Sequence, residues 1–118
     1  MALTRVQTLT IASGQTVSSA FTAGWHAAYG VVIPSSFTGT SLSFQVCADT
    51  SVDAPVYQAL YRRDEVANDG STVLDTIAVT TSRSYALPDG LTAWQAFKIV
   101  SNGAEGADRS LVVVGKAP

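Results

Sequence analysis

The stretch that decides the fold is "SLSFQVCADTSVDAPVYQALYRRD", Ser41 to Asp64. In its first part Leu42, Phe44, Val46 and Ala48 alternate with Ser43, Gln45 and Cys47, the period of two that marks a strand with one face against a core. "DTSVDAP" turns the chain, and "VYQALYRR" (56–63) reads as a second strand. The same stretch holds the only cysteine, three carboxylates, two arginines and two tyrosines, so it must also be weighed as a reactive centre.

Outward from it, turn clusters separate further segments of apolar alternation, and eight strands can be counted. "VQTLTIASG" (6–14) sets Leu9 and Ile11 on one face. "TVSSAFTAGW" (16–25) sets Val17, Phe21, Ala23 and Trp25 on one face, with Thr16, Ser18 and Thr22 opposite. "AAYGVVIP" (27–34) stops at a proline that cannot donate to a ladder. "VLDTIAVTT" (73–81), "WQAFKIVSNG" (94–103) and "RSLVVVGK" (109–116) complete the set, with "RSYAL" (83–87) as an optional addition. The turn signals are Asn68-Asp69-Gly70, Pro88-Asp89-Gly90 and Asn102-Gly103. A short helix within "APVYQALYRRDEVA" (54–67) is the minority alternative, because β-branched and aromatic residues crowd it and Pro55 precedes Val56.

A chain of 118 residues with 47% hydrophobic and 14% charged residues suits one domain built on half-buried pleated surfaces. The expected fold is all-β, an eight-stranded antiparallel, jelly-roll-like β-sandwich over residues 1–118, with residues 1–5 as a candidate extended N-terminal arm. No repeat, linker or low-complexity tract divides it.

The net charge is -2, and the seven basic residues are spread from Arg5 to Lys116, which leaves no single-signed field to attract a polyanion. Nucleic acid is therefore not expected as a direct partner. The pair Arg62-Arg63 is followed at once by Asp64-Glu65. One cysteine cannot close an internal disulfide, although a bond between subunits stays open. "MALTRVQTLTIASG" lacks an apolar stretch after its arginine, so no cleaved signal peptide is expected, and no run approaches the ~20 apolar residues of a spanning helix. A membrane is thus not expected as a partner, and synthesis in a cytoplasm is.

Catalysis finds little support. A cysteine nucleophile needs a base to form the thiolate, and His26 is the only histidine. A softer metal would need more histidine or cysteine ligands than one of each. "DEVANDGST" (64–72) offers oxygens to calcium but lacks the D-x-[DN]-x-[DN]-G spacing. Asp49, Asp53, Asp69, Asp89 and Asp108 all fall at turns, where backbone hydrogen bonding favours aspartate. No catalytic, cofactor-binding or metal-ligating residue is expected.

What stands out is apolar side chains on both faces of certain strands. Val112 and Val114 oppose Leu111 and Val113; Val32 opposes Val31 and Ile33; Trp94 shares the parity of Lys98 rather than that of Phe97 and Ile99. One face of a sandwich sheet is core, so the other is covered either by loops or by a partner. Trp94, Val112, Val114, Val32 and Cys47 are the candidate interface residues, and Trp94 is the expected hot spot. Sugar binding on Trp25, Tyr29, Tyr57, Tyr61 or Trp94 is the competing reading, against the ordinary role of aromatics in β cores.

Several segments, in order and over nearly the whole chain, resemble a known family. They are "IASGQTVSSAF", "GVVIPSSFTGTSLSFQVCAD", "VYQALY", "SRSYAL", "FKIVSNG" and "ADRSLVVV". The most telling are the I-P-x-x-F/W-x-x-x-x-L-x-F-Q-x-x-x-D pattern from Ile33 to Asp49 and the A-D-R-x-L ending. The family is that of the small jelly-roll structural proteins of tailed bacteriophage heads and prophages, including decoration or cement proteins. Phe37 stands where tryptophan is expected, and Ser51–Pro55 is longer than the usual D-G turn. The resemblance implies a virion protein without catalytic residues, on the capsid surface, with the major capsid protein and further copies of itself as partners. A spike base, collar or head–tail accessory on the same fold is its variant, and a carbohydrate-binding module is the alternative outside it.

Overall fold

The computed structural model describes residues 4–22 and 26–116, and within them the regular structure is antiparallel strand apart from one short 3-10 turn. The first sheet is built from β1 (Thr4–Ile11), β3 (Ala28–Val32), β9 (Ser84–Ala86) and β11 (Arg109–Lys116), in the order β1-β11-β3-β9. The second holds β2 (Val17–Thr22), β4 (Ser41–Cys47), β5 (Gln58–Ala59) and β10 (Ala96–Ser101), in the order β2-β10-β4-β5, and β8 (Ile77–Ala78) also pairs with β4. A separate ribbon joins β6 (Tyr61–Arg63) to β7 (Thr72–Leu74).

The two sheets share one core. Leu9, Ile11, Val31, Ile33, Leu111 and Val113 come from the first sheet and its continuation, while Phe21, Leu42, Phe44, Phe97 and Ile99 come from the second; none is more than 1% exposed. Alternation explains the choice, since Leu111 and Val113 point inward and each inward residue meets another across the ladder, as in Leu9↔Leu111 and Phe44↔Ile99. Phe37, in the β3–β4 loop, is also buried. A side chain at Gly39 would put its Cβ 2.8 Å from the Phe37 ring and 2.5 Å from Ser101 Oγ, so this close approach requires glycine.

Four details correct the sequence reading. The described residues form eleven strands rather than eight, because the segments 56–63 and 73–81 each break in two and the optional segment 83–87 does form a strand. Leu60 turns inward, only 7% exposed, and its N–H donates to Phe44 O while its carbonyl accepts from Asp75 N–H. The chain therefore leaves β4 after β5, runs out and back as the β6–β7 ribbon, and rejoins β4 as β8, Ser41 and Leu42 pairing with Ala78 and Ile77. No helix forms over 54–67, where proline and β-branched residues oppose one.

The second correction concerns Trp94. The strand begins at Ala96, and Trp94 caps the 3-10 turn Asp89–Ala93, donating its N–H to Leu91 O. Strand parity does not reach it, and its ring packs against the core. The third is in β2, where the register with β10 shifts between Lys98 and Val100. Three residues of β2 there span two of β10, a bulge that separates Val17 from the face of Phe21 and buries Ser18 instead. Ser18 Oγ accepts the Ile99 N–H at 2.9 Å, in place of a ladder carbonyl.

The fourth concerns the candidate arm. Thr4 and Arg5 are paired strand residues, opposite Lys116 and Gly115; residues 1–3 lie outside the described residues. So do Ala23 and Trp25, placed on the core face with Phe21 by the sequence pattern. No helix among the described residues is long and apolar enough to cross a membrane.

Candidate functional site

The ladder of the first sheet sets the residues of its outer face in rows. Val6, Val114, Gly30 and Ala86 form one row across the four strands, and Thr8, Val112, Val32 and Ser84 form the next. A third, at the rim, is Thr4, Lys116 and Ala28. The cause is local. "LVVV" in a central strand must send every second valine away from the core, and the outward positions of β1 and β3 are aliphatic at Val6 and Val32. Val6 is 60% exposed and Val32 41%, while Val112 and Val114, flanked on both sides, are half-buried.

The face has relief. Gly30 puts no side chain between Val114 and Ala86, and an open hollow of about 440 Å³ lies there, bordered by Val32, Ser84, Ala86 and Val114. A Cβ at Gly30 would come no closer than 3.4 Å to Tyr85 O, so the backbone does not demand glycine; its missing side chain deepens a depression that is otherwise shallow and open to solvent. Lys116 is the ionisable member of these rows. Chemically the face offers aliphatic area edged by the Thr4, Thr8 and Ser84 hydroxyls and the Lys116 ammonium.

The outer face of the second sheet is roofed in part. Cys47 has outward parity, opposite Ala96, yet is only 2% exposed. The connection after β4 folds back over it, so that the Tyr57 ring lies 4.3 Å from Lys98 Nζ on that face. Burial, and after it the neighbouring Cys47, pushes the Tyr57 phenol above its ordinary value. The Cys47 thiol donates to Asp49 O at 3.4 Å. Of the five residues expected at an interface, Val32, Val112 and Val114 share one outer face, whereas Cys47 lies beneath its own loop and Trp94 packs on the core.

The remaining candidates have structural partners. His26 sits among rings, its centroid 6.0 Å from Phe21 and 5.5 Å from Tyr29. Asp64 Oδ1 accepts the N–H groups of Val66 and Ala67 and so braces the ribbon tip. Asp49 and Asp69 accept from Ser51 and Ser71, whose hydroxyls and N–H groups lower both carboxyls. Among the described residues no three His, Cys, Asp or Glu side chains gather as metal ligands.

Three features escaped the sequence reading. Val6 has the parity of Thr8, opposite Leu9, so the argument that found Val112 would have found it too. The hollow at Gly30 had no such signal, because its depth depends on which residues the register places beside it. The ribbon tip presents Val66, 96% exposed, where a polar turn was expected.

The fold and this face define a two-sheet antiparallel β protein with an exposed aliphatic sheet surface. No family model and no curated protein matches the chain. Among solved structures it is similar to the crystal structure of the SPBc2 prophage-derived protein YomS, with a TM-score of 0.55 and 13% identity over 98% of this chain and 96% of that one. At that identity the likeness is one of fold.

Proposed function

We propose that this chain is a structural protein of a bacteriophage particle, a head decoration or cement protein that binds the major capsid protein on the capsid surface and does no chemistry. The observation that carries the reading is the outer face of the first sheet, where Val6 and Val32 stand exposed beside the half-buried Val112 and Val114. An aliphatic surface of this kind is normally covered by another protein. Similarity of fold to a prophage-derived protein along almost the whole chain supports a phage setting.

The winding supports it as well. With β6, β7 and β8 set aside, the chain passes between the sheets at β1, β2, β3 and β4, continues into β5, and then crosses again at β9, β10 and β11. These strand orders support a jelly-roll reading, an architecture common in virus shells and in lectins. A lattice would repeat one modest contact many times, and avidity turns such contacts into resistance to internal pressure.

Against the sugar-binding alternative, Trp94 packs on the core and Tyr57 lies against Lys98, which leaves each ring only partly exposed. The deciding experiment is to mix purified protein with expanded heads lacking it and to image the particles. Occupancy at repeated lattice positions, with greater resistance to heat, is the expected result. A few copies at one vertex would make it a collar or head–tail accessory protein, and no occupancy would overturn the reading.

A further inference from the structure

We propose that a second copy of this chain covers the outer face of the first sheet, the two copies being related by a twofold axis that runs between β11 and β3. The proposal rests on the reading above only in taking this aliphatic face as one made to be covered by a structural partner; it assigns the face to a second copy, so that a capsid contact falls on the surface of the dimer outside it.

The argument lies in the order of side-chain sizes along one row. Val6, Val114, Gly30 and Ala86 run large, large, none, small across β1, β11, β3 and β9. A twofold axis between the two middle strands sets β1 against the partner's β9 and β11 against its β3, because an isologous contact pairs each position with its mirror across the axis. Val114 then faces the hollow at the partner's Gly30, and Val6 faces the partner's Ala86. Each large side chain meets a vacancy or a small one, twice over.

The neighbouring row, Thr8, Val112, Val32 and Ser84, is level rather than stepped. There Val112 meets the partner's Val32, and Thr8 meets the partner's Ser84. No charge is buried in either row, and Lys116 remains at the rim. An unrelated partner could meet this face, but a row that is its own complement needs no second sequence.

The area suits a modest dimer. Four strands about 4.8 Å apart, with a rise of about 3.4 Å per residue, give a face roughly 19 Å wide and about 20 Å long. Two such faces come to about 760 Å² before relief is added, which places the contact among weak, transient interfaces rather than obligate ones. Dissociation in the micromolar range is the corresponding expectation.

The test is the mass of the free protein by sedimentation equilibrium from low to high micromolar concentration, with thermal melts to show that each variant folds. Wild type should be a dimer at the upper end. Gly30→Leu, which fills the hollow, should be a folded monomer throughout. Val112→Lys and Val32→Asp should each weaken self-association by roughly thirtyfold or more, because each buries an unpaired charge. Mixed, the two variants should form a heterodimer, since Lys on one copy then faces Asp on the other.

Monomeric wild type over the whole range would overturn the proposal. So would a dimer indifferent to Gly30→Leu, or a mixture that fails to form heterodimers. Head occupancy separates the two readings: a monomer that decorates heads removes the twofold contact alone, and a dimer that decorates nothing removes the phage role alone.

Discussion

Glu105 accepts the Arg109 Nε–H at 3.0 Å across the last loop, and it is the more deeply buried of the two, at 1% exposure. The same carboxylate accepts the Thr38 N–H at 3.0 Å and the Thr38 hydroxyl at 2.7 Å. The Glu105 N–H donates to Gln15 O and its carbonyl accepts from Gly14 N–H. One residue thus fastens three loops at one end of the sandwich, those that join β1 to β2, β3 to β4 and β10 to β11.

Burial alone would raise the Glu105 carboxyl, but the two Thr38 bonds and Arg109 outweigh it and hold it below the ordinary value. A lowered acid contributes stability above the unfolded-state pKa and loses it as pH falls through the folded one. Glu105→Ala should cost about 3 kcal/mol at pH 7. Urea unfolding from pH 7 down to pH 3 should show the gap between wild type and variant closing below about pH 4.

Asp75 is the opposite case. Burial raises its carboxyl, and Arg62, with Nε 3.6 Å from Oδ1, offsets this only in part. A raised acid favours the folded state at low pH, and the advantage is lost as pH rises through the folded pKa. Asp75→Asn should therefore be no less stable than wild type at pH 7, gaining up to about 1 kcal/mol, and should gain less at pH 4. Urea midpoints at the two pH values check the sign.

Ser18→Ala removes the acceptor that the bulge supplies to the Ile99 N–H. A buried donor left without a partner costs about 1–3 kcal/mol. The thermal midpoint should fall, and hydrogen exchange should quicken at Ile99 beyond any general loss of stability.

Adjacent valines of β11 should behave differently. Val113 is fully buried and Val112 half-buried on the outer face. Val113→Ala should cost about 2–3 kcal/mol through lost contact and a cavity, while Val112→Thr should stay within about 0.5 kcal/mol. Both variants are read at protein concentrations low enough for the free chain to be monomeric, where equal losses in chemical denaturation would show that the outer face is covered within the single chain.

The all-β class, the main strands and the three outward valines were legible in the sequence, because period two is local: consecutive side chains point opposite ways whatever the strand pairs with. Alternation told Val112 from Val113 without knowledge of a neighbour. The same rule failed at Trp94, where no strand exists to carry it, and at Val17, where one extra residue in a bulge resets parity.

What only the tertiary structure decided depends on partners distant in sequence. Leu60 breaks a strand because Phe44 O and the core lie beside it; Cys47 is hidden because Tyr57 crosses over it; Gly30 is a hollow because register sets it between Val114 and Ala86. Periodicity records which way a side chain faces, and only packing determines what it faces.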